Sequence, residues 1–242
     1  MATKHLTGKH QYIEFKSETI ASRVRKMLDM RDKVDAGNEH VRISYGNRKT
    51  TAMVPSISLI PVADCGNCHA CKLGCYDMRH VCCYIHSQRQ RAINSAIARQ
   101  DMPRYFEEIK AHAQFHRVWR YHVGGDILCP AYLTGMVDVA IKVPTCQFLA
   151  FTKQFDIVNG YLDDHPEGFP NNLHIIFSDW RGLEMDNPYG LPVSSPIWKD
   201  GTMGPHVTEK RYMCRGNCAE CATMGRGCWT AKNGDTILFE AH

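Results

Sequence analysis

No stretch of this sequence approaches 18 consecutive apolar residues, which excludes a long apolar membrane-spanning helix. The opening residues, MATKHLTGKHQYIEFK, lack the apolar core that a secretory signal needs. Strong charge is missing too. Twenty-nine Lys and Arg against 25 Asp and Glu leave a formal +4 over 242 residues, too mild an excess to argue for nucleic acid by itself. There is no internal repeat and no low-complexity tract. These absences point to a cytoplasmic protein with no membrane partner, where thiols stay reduced and disulfides are rare. What remains is ordinary globular composition, 44% hydrophobic and 22% charged, with length enough for one large domain.

Cysteine is the exception, with twelve residues unevenly placed. Cys65, Cys68, Cys71 and Cys75 form one group, and Cys214, Cys218, Cys221 and Cys228 form another. Both groups sit among Gly, Asn and polar residues, so packing alone does not account for them. Cys82, Cys83, Cys129 and Cys146 are scattered and read as small buried hydrophobes.

The periodicity alternates between strand and helix. Ser17 to Gly37 reads as an amphipathic helix capped by Ser17, with Ile20, Val24, Met27, Leu28 and Val34 near one face. Its Arg23, Arg25 and Lys26 read as a solvated face. Met53 to Val62 reads as a strand limited by Pro55 and Pro61. A helical stretch is expected from about Arg79 to Arg99, and another opening at Pro103. Val118 to Val123 is the next strand, followed by a helix after Pro130, a strand from Gln147 to Thr152, a helix from Asp156 to Leu162 and a strand from Leu173 to Phe177. Asn187 to Pro205, rich in Pro and Gly, reads as a long irregular loop or a cover over the site. The alternation predicts an α/β fold with a parallel sheet built from βαβ units.

Parallel α/β folds place chemistry at the carboxyl ends of their strands. The first predicted strand ends in the cysteine group, the second in His122-Val123-Gly124-Gly125-Asp126, the third in Lys153 and the fourth in Asp179. Gly124 and Gly125 would let a ligand approach the backbone, Asp126 would accept from an amine or ribose, and Lys153 would meet a carboxylate or phosphate. His122 reads equally as a ligand group and as a core histidine. The stretch around Arg117, Trp119, Arg120 and Tyr121 resembles a nucleic-acid stripe, although strand alternation makes it half core and half surface.

The first cysteine group has the spacing C-x2-C-x2-C-x3-C, that of bacterial ferredoxin runs holding a [4Fe–4S] cluster, with Tyr76 where a Pro usually follows. The second is C-x3-C-x2-C-x6-C. Thiolates suit iron–sulfur clusters and zinc alike, so zinc stays open, including a site shared by Cys68/Cys71 and Cys218/Cys221. Dense packing within one loop places the cluster first.

The pieces SYGNRKT, the loop ending in Cys75-Tyr76, RAIN, RYHVGGD, FLAFTK, FSDWRGLEMDNPYGLP and CRGNCAEC…CW run in order from about Ser44 to His242. In these the chain resembles uncharacterised bacteriophage and prophage iron–sulfur proteins whose barrel is similar to the radical S-adenosylmethionine enzymes. The resemblance implies a partial (β/α) barrel over residues 44–205, preceded by a helical extension over 1–43. A Cys-rich segment over 206–242 would form one unit with the barrel. It implies one or two [4Fe–4S] clusters at the barrel mouth and residence in a bacterial host cell. Gly124-Gly125-Asp126 looks like the Gly-Gly-Glu segment that binds the amino group of S-adenosylmethionine. The cysteine loop departs from the family's C-x3-C-x2-C, which occurs instead at Cys214, Cys218 and Cys221. The departure counts against cleavage of S-adenosylmethionine. Two function classes follow: a redox protein or divergent enzyme with a small-molecule or redox partner, and a zinc-stabilised binding protein for nucleic acid or a host protein.

Overall fold

The computed structural model of the chain describes residues 16–45, 54–66 and 70–241. Its frame is one all-parallel sheet of seven strands in the order β1-β2-β3-β4-β5-β7-β6. The strands are β1 (Ser56–Ile57), β2 (Val118–Tyr121), β3 (Gln147–Thr152), β4 (Leu173–Ser178), β5 (Val193–Ile197), β6 (Arg211–Met213) and β7 (Thr236–Glu240). The sheet is open, with β1 and β6 as its edges. The expected barrel is thus an unclosed parallel sheet.

Helices α1 (Ser17–Arg31), α2 (Tyr76–Cys83), α3 (Ile85–Gln100), α4 (Met102–Ala113), α5 (Pro130–Lys142), α6 (Phe155–Asp164) and α7 (Cys218–Thr223) complete the fold. Strand alternation decides which layer meets which face. Trp119, Tyr121, Phe148, Ala150, Ile175 and Phe177 point to one side and form the main core with α3, α4, α5 and α6. Val118, Leu149, Phe151 and Ile176 point to the other and are covered by the C-terminal segment through Ala219 and Trp229. α1 packs on α3 at the β1 edge, closing a smaller core of Ile20, Met27, Ile60, Met78 and Val81.

The periodic elements appear close to where the pattern puts them, and four differ for local reasons. The first helix stops at Arg31, starts after Lys16 without a side-chain cap, and is followed by a tight turn, Ala36–Asn38, that Asp35 caps. The first strand shrinks to Ser56–Ile57 because Leu59 N donates instead to Gly124 O and Val62 takes φ 71°, while Met53 lies outside the described residues. The Arg79–Arg99 stretch is two helices, broken at Tyr84, whose backbone is extended. The loop expected over 187–205 contains β5, in the sheet interior. Its VSSPI sequence hides it, since Pro is normally absent from central strands. Pairing with β4 ends at Ser194, so Pro196 lies beyond the point where β4 needs an N–H from β5. The segment 206–241 then adds β6 and β7 to the same sheet.

Candidate functional site: two cysteine groups on one sheet

The described part of the first cysteine loop meets the carboxyl ends of β2 and β3. Gln154 Nε2 donates to Cys65 O at 2.5 Å from just beyond β3, and Tyr76 OH donates to Val123 O at 2.5 Å just beyond β2. Each end of the loop is clamped by an arginine from α3. Before Cys65, the buried Asp64 carboxylate accepts from Arg99 Nε and Nη2 at 3.1 and 2.6 Å and from Ile60 N at 2.9 Å. After Cys75, the buried Asp77 carboxylate accepts from Arg91 Nε and Nη2 at 2.8 and 2.6 Å. Arg91 and Arg99 are eight residues apart, close to two helical turns, so one face of α3 holds both clamps. Burial, then the Asp77 charge and the nearby Cys65 and Cys71 sulfurs, push the Cys75 thiol up to about 12. Cys68 lies outside the described residues.

The second group lies on the opposite face from the helices. Cys214 follows β6, Cys218 and Cys221 lie on α7, and Cys228 lies in the tight turn Gly227–Trp229 that meets β3 and β4. Gly216 N donates to Cys214 Sγ at 3.4 Å, and Asn217 caps α7 through Glu220 N. Burial pushes the Cys228 thiol up to about 12, reinforced by the Cys214, Cys218 and Cys221 sulfurs, while Arg120 pulls it down. The four sulfurs of this group are therefore electrostatic neighbours. Among the described residues, however, no three or more His, Cys, Asp or Glu side chains are disposed to hold a metal ion as they stand. Donor type and number fit a thiolate centre, and the thiols would have to turn and lose their protons to close on it.

Arg120 of β2 stands beside this second group. Burial acts to lower its pKa, and the Tyr76 oxygen with the Cys218, Cys228 and Cys214 sulfurs outweighs that, so its guanidinium is held charged. Its carbon stands 5.2 Å from the centre of the Phe151 ring, and its enclosed Nε has no hydrogen-bond partner.

The strand-end residues are largely used by the protein itself. A Cβ on Gly124 would stand 1.8 Å from Asp77 Oδ2, so the absent side chain makes room for the Asp77–Arg91 clamp. Gly125 takes φ 81° and passes so close that a Cβ would lie 2.5 Å from Leu59 Cβ. The buried Asp126 carboxylate accepts from Ile127 N at 2.8 Å, Thr152 Oγ1 at 2.6 Å and Lys153 N at 2.8 Å. Burial nevertheless raises it to about 6. His122 adopts φ 54°, shares a hydrogen bond with Tyr132 OH at 3.0 Å through Nε2, and leaves Nδ1 buried without a partner. Burial, then the Arg120 charge, hold it neutral, with its pKa lowered to about 3. Lys153 Nζ stands 5.8 Å from the Trp180 ring centre.

Asp179 is buried and accepts from His206 Nδ1 at 3.0 Å, His206 N at 3.1 Å and Ser195 Oγ at 3.2 Å. The His206 ring is 32% exposed at the carboxyl end of β4. His206 escaped sequence reading because it lies in the segment taken for irregular loop and cysteine cap. Of the scattered cysteines, Cys146 is buried as expected, Cys82 and Cys129 are half-buried, and Cys83 is exposed. The described cysteines are all free thiols. A separate cleft of about 360 Å³ opens at the amino ends of β4 and β5, lined among others by Phe169, His174, Tyr189 and Cys228.

Fold and site together define an open parallel α/β protein with a cysteine group at one strand edge and a second on the sheet face that the C-terminal segment covers. By its sequence the chain belongs to the gene product 88 family, a phage-type family that it matches over residues 26–184. No curated protein and no solved structure matches it. Among the described residues no helix is long and apolar enough to cross a membrane.

Proposed function

We propose that this gene product 88 protein is an iron–sulfur protein of redox type. Cys65, Cys68, Cys71 and Cys75 would hold one [4Fe–4S] cluster, and Cys214, Cys218, Cys221 and Cys228 a second centre. The observation that carries the reading is the pair of α3 clamps that fix both ends of the first cysteine loop, Arg99 on Asp64 and Arg91 on Asp77. A cluster supplies one-electron transfer when bound. The chain's own residues fix the loop, partly cover Cys75 and Cys228 and set the local charge.

The radical-enzyme version of this reading, with S-adenosylmethionine on an open iron, draws less support. Asp126, Gly124 and Gly125, the positions that resemble the cofactor's amine site, already serve Lys153, Thr152, Asp77 and Leu59. A redox partner therefore fits better than a small-molecule substrate.

Zinc at the C-terminal group is the second reading, favoured by its set of four cysteines and the amide bond to Cys214 Sγ. Zinc alone in both groups would make the chain a stapled binding protein for nucleic acid or a host protein.

Anaerobic purification followed by iron, sulfide and zinc analysis tests these readings. About four irons per filled group, with a reduced-cluster resonance unchanged by S-adenosylmethionine, is the expected result. A resonance that shifts with S-adenosylmethionine supports the enzyme version. Zinc without iron or sulfide overturns the iron–sulfur reading.

A further inference from the structure

Three histidines meet a carboxylate among the described residues, and they differ in how far that carboxylate is enclosed. Glu108 beside His40 and Glu167 beside His165 keep contact with water, whereas the Asp179 side chain beside His206 is fully buried. Strand alternation puts it there. Phe177 and Val193 face the main core, so Asp179 and Ser195, two residues on, fall on the same face just beyond its carboxyl end. The loop after β5 folds back onto them. Ser195 Oγ accepts from Gly204 N at 3.0 Å and donates to Asp179 Oδ2, which also accepts from His206 N at 3.1 Å. Gly204 packs so closely that a Cβ would stand 2.0 Å from Asp179 Oδ2. Asp179 Oδ1 is left to the His206 ring, 3.0 Å from Nδ1. The segments framing the ring, 179–182 and 198–206, carry Arg181 and Lys199. Their one carboxylate besides Asp179 is Asp200, already bonded to Arg181. Lys153 stands at the same edge over Trp180, the residue after Asp179.

We propose that His206 and Asp179 form a phosphate-binding site at the carboxyl ends of β4 and β5, with His206 touching the ligand and Asp179 positioning the ring. The buried carboxylate takes the Nδ1 hydrogen and fixes the imidazole, and Nε2 then accepts from the ligand. A phosphate group near neutral pH carries P–O–H and P–O⁻ oxygens together. It therefore offers both the hydrogen that Nε2 needs and the charge that the surrounding cations favour. Ligands of open parallel sheets settle outside the carboxyl ends of the strands, which is where this ring lies. Free phosphate and a phosphomonoester present the same chemistry to it. The site does not depend on a metal at either cysteine group.

The test is the rate at which diethyl pyrocarbonate modifies each histidine of the wild-type chain at neutral pH, read by peptide mass spectrometry. An unprotonated ring nitrogen attacks the reagent's carbonyl carbon and an N–C bond forms. The hydrogen on the other ring nitrogen leaves with ethyl carbonate, which breaks down to carbon dioxide and ethanol. If the His206 ring only staples its loop, rates follow exposure, and His206 at 32% is slower than His165 at 44% and His40 at 81%. The site predicts the reverse, with His206 faster than either by about fivefold, because water does not screen its carboxylate. Inorganic phosphate and glycerol phosphate are then titrated in at constant ionic strength. At least one should slow His206 by about fivefold at a few times its Kd and leave His165 and His40 unchanged. The compound that acts at the lower concentration identifies the source of the phosphate group. Asp179→Asn should bring His206 down to the rate of His165, with urea unfolding showing that the variant is folded. The comparison within wild type stands even where that variant does not fold. His206 reacting no faster than His165, or protection by neither compound, overturns the proposal.

Discussion

Asp126 shows how a residue that looks like a ligand group can be a structural one. Its carboxylate ties the loop after β2 to the end of β3 through Thr152 and Lys153, and it is enclosed enough that burial lifts it from 3.8 to about 6. The folded pKa lies above the unfolded one, so between them the native state binds more protons than the unfolded chain. Stability from this group is therefore greatest below about 3.8 and falls as pH rises to about 6, by about 2–3 kcal/mol in all. Asp126→Asn removes the ionisation. Urea unfolding from pH 4 to 7 should show wild type losing stability relative to Asp126→Asn across that window. Parallel curves would show that the carboxylate is not buried as described. The Asp77–Arg91 clamp makes a complementary case, with both groups almost enclosed at 2% and 8% exposure. Arg91→Met would leave a buried carboxylate unanswered and cost about 3–5 kcal/mol, read as a fall in the urea midpoint. A loss under about 1 kcal/mol would mean that water reaches Asp77.

At the scale of elements, the C-terminal module is held to the sheet by one large anchor. Trp229 is buried between Leu149, Ile176 and Ala219, and its Nε1 donates to Cys218 O at 3.3 Å. Trp229→Ala should cost about 3–5 kcal/mol in unfolding free energy, because β3 and β4 cannot collapse into the space. A loss below about 1 kcal/mol would show that the module rests loosely on the sheet. The elements legible in the sequence were those with a clear period: α5, with its stripe after Pro130, and β3, whose bounds match the Gln147–Thr152 reading. Less regular ones were hidden for physical reasons. β5 is built of Ser and Pro and buries polar side chains, and β1 needs partners far away in the chain to define it. The cysteine groups could be found from spacing alone. Their arginines could not, since Arg91, Arg99 and Arg120 read as ordinary helix and strand residues until the fold brings Asp77, Asp64 and the sulfurs to them.

In the whole molecule, strand order couples the second cysteine group to global stability. β7 lies between β5 and β6, and the segment carrying Cys214 to Cys228 is the connection from β6 to β7. A metal bound there would close a loop between adjacent strands of the only sheet among the described residues, so losing it would loosen the register of β7 against β5 as well. A ligand that binds only the folded state stabilises it by RT ln(1 + [L]/Kd), about 4 kcal/mol at a thousandfold excess over Kd. For a domain of this size each kcal/mol moves the melting temperature by about 2–4 °C. Stripping the metal with a chelator should therefore lower a single thermal transition by about 8–16 °C, with restoration on adding metal back to the reduced protein. A transition that splits in two would show the module unfolding apart from the sheet. An unchanged melting temperature would mean that the C-terminal sulfurs hold nothing that stabilises the fold, leaving the first group as the sole candidate centre.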